Sequence, residues 1–234
     1  MITSRPNLLK FFLSIGLVFS LFFFSACNRT KVQPSMPSPP EKANQAQAPT
    51  PQKTLLFLGD SLTAGYGVSR EEAFPFVLQQ LLEERLSQSV EVINGGQSGA
   101  LSSNAIENLN FYLGRIQPDL IVLTTGGNDA RQGAPTAVIR ENIAKAVRRA
   151  QEDNRKVLLG GMQIFPNLGQ DYSEAFRQIY PDLAQEFSVP LIPFLLEGVA
   201  GEPEYNQYDG FHPNEKGHRK IAEHILPFIV EALK

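Results

Sequence analysis

The chain has 234 residues, with 21 basic and 24 acidic side chains and a net charge of −3. No run of Lys or Arg interleaves with aromatics, so nothing in the charge pattern supports a nucleic-acid partner. The single cysteine, Cys27, excludes any intramolecular disulfide and leaves the redox compartment open.

Residues 1–26 read as a targeting segment. Arg5 and Lys10 precede an apolar run, Phe11 to Phe24, of about fourteen residues, short for a bilayer span. The small pair Ser25-Ala26 then leads into Cys27. A signal peptide cut near residue 26 and an uncleaved anchor both fit this pattern. The tetrad Phe24-Ser25-Ala26-Cys27 also resembles the lipobox of bacterial lipoproteins, with Phe where Leu is usual. That resemblance implies an exported protein whose Cys27 becomes a lipidated N-terminus. Several acyl chains would hold it on the periplasmic or extracellular face of a bacterial membrane. Residues 27–53 follow as a linker. From Val32 to Lys53 the chain is rich in Pro, Gln, Ala and Ser. Pro34, Pro37, Pro39, Pro40, Pro49 and Pro51 oppose helix and sheet, and there is too little apolar surface to offset ordering.

Residues 54–234 make one domain in which short apolar strands alternate with longer helices. Leu55–Leu58 is the first strand. Glu71–Leu86 carries Phe74, Val77, Leu78, Leu81, Leu82 and Leu86 on helical spacing, with Pro75 in the first turn. Val90–Ile93 is the second strand, followed by a helix over Ser102–Ile116. Leu120–Thr124 is the third strand, followed by a helix over Thr136–Ala150. Val157–Leu159 is the fourth. A helix over Ser173–Phe187 contains Pro181, which predicts a kink or a break. Leu191–Ile192 begins a fifth strand. A last helix runs from Asn214 to Leu233 and contains Pro227, which predicts a kink. This alternation predicts an α/β fold, a parallel sheet covered on both faces.

The chemistry-bearing residues fall where these strands end. The first strand runs into Gly59-Asp60-Ser61, the second into Asn94-Gly95-Gly96-Gln97-Ser98-Gly99, the third into Gly126-Gly127-Asn128-Asp129. All three leave the sheet at the edge where open α/β sheets bind ligands. Ser61 is the candidate nucleophile; the bland alternative is that Asp60 and Ser61 only cap the next turn. Asp60, Asp129 and Asn94 are expected to brace their loops. Of the three histidines, His218 falls on the apolar face of the last helix as a structural residue, and His224 lies near the opposite, exposed side. His212 stands in a loop three residues after Asp209, as a base with an orienting carboxylate would. A metal held by Asp60, Asp209 and His212 is the competing use, but no paired His or Cys spacing supports it.

Four blocks, Gly59–Leu62, Asn94–Gly99, Gly126–Asp129 and Asp209–Pro213, are together similar to those of the SGNH hydrolases, the GDSL esterase/lipase family. Met162-Gln163-Ile164, the stretch Tyr172 to Pro181, and Val189 to Phe194 resemble the bacterial thioesterase I/lysophospholipase L1/arylesterase group. The resemblance covers nearly all of 54–234. It implies a three-layer sandwich on a five-stranded parallel sheet, flavodoxin-like. It implies Ser61 as nucleophile, His212 as general base and then acid, and Asp209 as orienting carboxylate. An oxyanion hole would come from the backbone N–H groups of Ser61 and Gly99 and the side chain of Asn128. It implies no metal and no cofactor, and a monomer acting on small acyl esters or lysophospholipids. Leu101, Ile164, Phe165, Pro166 and Leu168 are candidate walls of a shallow acyl groove; ordinary packing at loop ends is the alternative. An enzyme removing acetyl groups from carbohydrate, and a binding lipoprotein that turns nothing over, are the other readings of the chain.

Overall fold

The strand segments are almost wholly apolar because both faces of the sheet are covered. Leu55, Leu56 and Phe57 in the first strand and Leu120 to Leu123 in the third are completely buried. Each such side chain contributes about 1.5–3 kcal/mol on leaving water. The computed structural model describes residues 53–86 and 89–234. The targeting segment 1–26, the lipidation site Cys27 and all of the linker except Lys53 lie outside these residues.

Five parallel strands, β1 (Lys53–Gly59), β2 (Val90–Asn94), β3 (Leu120–Thr124), β4 (Lys156–Gly160) and β5 (Leu191–Ile192), stand in the order β2-β1-β3-β4-β5. β1 pairs with β2 through Phe57 opposite Asn94, and with β3 through Gly59 opposite Thr124. The chain leaves β1 toward one edge of the sheet and resumes at β3 on its other side. The carboxyl ends of β1 and β3 therefore flank the topological switch point, where α/β sheets open a crevice. Helices α2 (Phe74–Leu86) and α7 (Glu215–Leu233) pack together as one outer layer. α3 (Ala105–Leu113), α5 (Thr136–Gln151) and α6 (Gln170–Phe187) pack together as the other. This is the expected α/β three-layer sandwich. Among the described residues, no helix is long and apolar enough to cross a membrane.

Several boundaries differ from the pattern read in the sequence. The expected helix from Glu71 is a separate 3₁₀ turn, Arg70–Glu72, before α2 begins at Phe74. Ser69 starts that turn, its backbone N–H donating to the Glu72 carboxylate. The helix expected over 102–116 likewise opens as a 3₁₀ turn, Ser102–Asn104, and α3 ends at Leu113, with Gly114 following. α6 starts three residues early, at Gln170, and runs unbroken through Pro181; α7 runs unbroken through Pro227. Both prolines leave a carbonyl four residues back without its donor. Those carbonyls belong to Arg177 and Glu223, which are exposed, so water can satisfy them. Two short helices had no periodicity to announce them: α1 (Ser61–Ala64) directly after β1 and α4 (Gly127–Arg131) directly after β3.

His218 is fully buried on α7, its ring stacked at 6.1 Å on Phe74 and its Nδ1 accepting from the Phe74 N–H at 3.3 Å. Its Nε2 has no hydrogen-bond partner among the described residues. Burial, helped by the charge of His212, pushes it down to about 4. His224 is not exposed as expected. It is half-buried, and its Nε2 lies 3.0 Å from the Phe194 carbonyl, tying α7 to the segment after β5.

Candidate active site

α1 begins abruptly because Asp60 caps it, its carboxylate accepting from the Leu62 N–H at 3.0 Å. Asp60 caps the helix that Ser61 begins, so the cap places the Ser61 side chain at the carboxyl edge of the sheet. As first residue of α1, Ser61 has a backbone N–H without an intrahelical acceptor. The loop after β2 closes onto α1. The Asn94 side-chain Oδ1 accepts from the Gly96 N–H at 2.9 Å and its Nδ2 donates to the Thr63 carbonyl at 2.8 Å. Gly96 is required there, since a Cβ would sit 2.3 Å from the Ala64 nitrogen. Gly99, at φ +82°, adopts a left-handed conformation that glycine holds without strain, and its Cα faces open space. Asn128, in α4, donates one amide hydrogen to the Ala100 carbonyl at 3.0 Å, which fixes the side chain and leaves the second hydrogen free. Asp129 braces this element by accepting from Ser102 N at 2.7 Å and Ser102 Oγ at 2.6 Å.

The loop before α7 brings the other half. His212 Nε2 lies 3.0 Å from Ser61 Oγ, and His212 Nδ1 lies 2.6 Å from Asp209 Oδ2. Asp209 Oδ1 accepts from the backbone N–H groups of Phe211 and His212, each at 2.9 Å. Partial burial would raise Asp209, but the His212 ring and these N–H donors outweigh it and hold the carboxyl at about 2. Asp209 is therefore ionised at neutral pH and can only accept, so Nδ1 carries the imidazole proton and Nε2 is free to accept from Ser61. Gln207 locks this loop in place, its amide donating to the Tyr66 carbonyl at 2.7 Å and the Pro213 carbonyl at 2.8 Å. Tyr66 and Phe211 flank the imidazole, with ring centroids at 4.7 and 4.9 Å.

Asp60 is buried and pushed up to about 6, because loss of solvent outweighs its bond to Leu62 and the proximity of His212. Its folded value is above its unfolded one, so it favours the folded state at low pH, and that contribution is lost as pH rises through about 6. His218 works the other way: its folded value is depressed, so its contribution is present above about 6.5 and lost as pH falls toward 4. Asp60→Asn removes one arm of this balance. Between pH 7 and pH 4 it should lose about 2 kcal/mol of stability relative to the unmodified chain. Chemical denaturation across that range measures it; parallel profiles would contradict the assignment.

A cleft of about 560 Å³ reaches Gly210 and Phe211, the two residues before His212, and is lined also by Gln163, Ile164, Phe165, Phe194 and Leu196; Ser61 and His212 are not among its lining residues. Of the five expected wall residues, Ile164 and Phe165 line it. Leu101 lines a separate small crevice with Leu58 and Ala105. Pro166 and Leu168 begin and end a 3₁₀ turn outside the cleft, with only Asn167 of that turn facing it. Phe194 and Leu196 were not anticipated, although they follow β5 at the same sheet edge. Arg131 was also missed; it lies three residues after Asn128 on α4, with its guanidinium 4.2 Å from the Phe211 ring centroid. Among the described residues, no three His, Cys, Asp or Glu side chains are grouped so as to hold a metal ion.

A serine, a histidine and a carboxylate in hydrogen-bonded series at the switch point of a parallel sheet define a serine-hydrolase arrangement on an α/β fold. The family model for the GDSL-like Lipase/Acylhydrolase family matches residues 57–220, and the chain belongs to that family. It is 38% identical over 179 residues to an arylesterase from Vibrio mimicus, covering 76% of this chain and 89% of that protein. It is 36% identical over 170 residues to thioesterase 1/protease 1/lysophospholipase L1 from Escherichia coli (strain K12), covering 73% and 80%. The crystal structure of TesA superposes with a TM-score of 0.73 at 33% identity, covering 77% of this chain and 99% of that one.

Proposed function

We propose that the chain hydrolyses carboxylic esters through an acyl-enzyme on Ser61. The observation that carries this reading is the series Ser61 Oγ, His212 Nε2, His212 Nδ1, Asp209 Oδ2, with contacts of 3.0 and 2.6 Å at its two ends. Ser61 Oγ attacks the ester carbonyl as its proton passes to His212 Nε2. Asp209 holds the imidazole in the tautomer that accepts this proton and stabilises the imidazolium. The N–H groups of Ser61 and Gly99 and the free amide hydrogen of Asn128 receive the developing oxyanion. Donors fixed in advance act most strongly in the transition state. Collapse expels the alcohol, which takes the proton from His212. Water, deprotonated by His212, then attacks the acyl-enzyme and releases the acid. Every group comes from one chain, so a monomer suffices.

The substrates we assign are small acyl esters, thioesters and lysophospholipids. The activities named for the Vibrio mimicus and Escherichia coli relatives support this, as does the apolar lining supplied by Ile164, Phe165, Phe194, Leu196 and Phe211. The basic start, apolar run and Cys27 support an exported enzyme tethered through residues 27–53 to the periplasmic or extracellular face of a bacterial membrane.

The full chain should hydrolyse 4-nitrophenyl esters from acetate to longer acyl chains, and lysophosphatidylcholine, without response to chelator. Activity confined to a sugar acetate would shift the reading to carbohydrate deacetylation. No turnover of any of these by the folded protein would overturn it.

A further inference from the structure

The cleft that reaches Phe211 is mostly apolar. Among the described residues that line it, Arg131 carries the only charge, and none is a carboxylate. Among the described residues Arg131 takes part in no ion pair. Its guanidinium is not loose, because one face rests on the Phe211 ring, 4.2 Å from its centroid. Stacking occupies a face of the plane and leaves the N–H edge free, the geometry that binds carboxylate or phosphate through two parallel hydrogen bonds. The position is also tied to the reacting atoms. Arg131 lies three residues beyond Asn128 on α4 and so shares its side of the helix. Phe211, the stacking partner, immediately precedes His212. The two amides lining the same cleft, Gln163 and Asn167, add further donors.

We infer that Arg131 is a specificity-determining residue that binds an anionic oxygen group, carboxylate or phosphate, carried by the ester substrate a few atoms from the scissile bond. This rests on the esterase reading above and narrows it. The ester's apolar part lies against the Ile164, Phe165, Phe194 and Leu196 side of the cleft while its charged end meets the guanidinium edge. A neutral ester of the same length fills the same space but leaves Arg131 unpaired. Two placements of the anion satisfy the same chemistry: on the acyl part, as in a half-ester of a dicarboxylic acid, or on the alcohol, as in an acylglycerol phosphate.

The test compares charged and neutral partners on both arms with the full chain. On the acyl arm, mono-4-nitrophenyl glutarate is set against methyl 4-nitrophenyl glutarate. On the alcohol arm, 1-butyrylglycerol 3-phosphate is set against 1-butyrylglycerol. In Arg131→Met, the charged-to-neutral ratio of kcat/KM should fall roughly tenfold or more on at least one arm. The affected arm identifies where the anion is carried. Arg131→Lys should lie between the two, since it keeps the charge and loses the fork. Ratios within about twofold of the unmodified chain on both arms would overturn the inference. If the unmodified chain hydrolyses none of the four esters, the esterase reading is decided by the 4-nitrophenyl ester and lysophosphatidylcholine assays above, and the anion site is judged separately by calorimetric binding of dodecyl phosphate. A Kd weakened about fivefold or more in Arg131→Met then upholds it, and an unchanged Kd overturns it.

Discussion

Replacing Ser61 by alanine should lower kcat for carboxylic esters by roughly 10⁴- to 10⁶-fold, with little change in the thermal midpoint. The hydroxyl is a small group on a buried residue, and its one side-chain hydrogen bond among the described residues is to His212 Nε2. Removing it deletes the attacking oxygen while Asp60 still caps α1 through the Leu62 N–H. The backbone N–H of residue 61 also survives, so residual rate above the water reaction would come from the oxyanion donors alone. A loss smaller than about tenfold, measured as 4-nitrophenol release, would show that another group attacks the ester.

Asp209 gives the second large effect, and two substitutions there should rank in an order that burial alone would not predict. Asp209→Asn should lower kcat by about 10⁴-fold. The Asn oxygen keeps the two backbone N–H bonds that Oδ1 accepts, from Phe211 and His212. Its amide then faces His212 Nδ1 as a donor. That forces Nδ1 to accept and moves the imidazole proton to Nε2, where it points at Ser61 and blocks proton uptake. Asp209→Ala imposes no tautomer and should cost less, on the order of 10²- to 10³-fold. Steady-state kcat for the two variants on one ester decides this. An alanine variant slower than the asparagine variant would contradict a tautomer-setting role for Asp209.

Much of the scaffold is legible because burial on both faces leaves a plain mark. Leu55–Leu58 and Leu120–Thr124 are continuous apolar runs bounded by polar or glycine residues, and they are the two strands that flank the switch point. Once their ends are known, Ser61, Asn128 and the glycines between Asn94 and Gly99 fall at one edge without further assumption. Features held by a few tertiary contacts left less trace. α1 and α4 have four and five residues, too few for a helical period, and their glycines read as turns. Pro181 and Pro227 suggested interruptions because local sequence does not show that the residues carrying the affected carbonyls, Arg177 and Glu223, are exposed. His224 looked exposed from its place on the helical wheel, and only the position of Phe194 after β5 makes it a bonded group.

The cleft was the least legible part. Ile164 and Phe165 could be named only through the resemblance to enzymes with an apolar groove, and the 3₁₀ turn that follows places Pro166 and Leu168 outside the cleft and leaves Asn167 facing in. Arg131 could be approached from sequence only by spacing, through its place three residues after Asn128, and that requires knowing that α4 is a helix. The side chains proposed to move protons follow from strand ends and one loop motif. Those that choose the substrate depend on how loops from β4, β5 and α7 converge.

The central claim is that Ser61 itself becomes acylated. An activated alkylphosphonate ester, which reacts with an activated serine and stays attached, tests this most directly. Mass spectrometry of the full chain after treatment should show a single adduct, mapped to the peptide containing Ser61, with ester hydrolysis lost in proportion to labelling. Hydrolysis that persists in fully labelled protein, or an adduct elsewhere with Ser61 unmodified, would contradict the account.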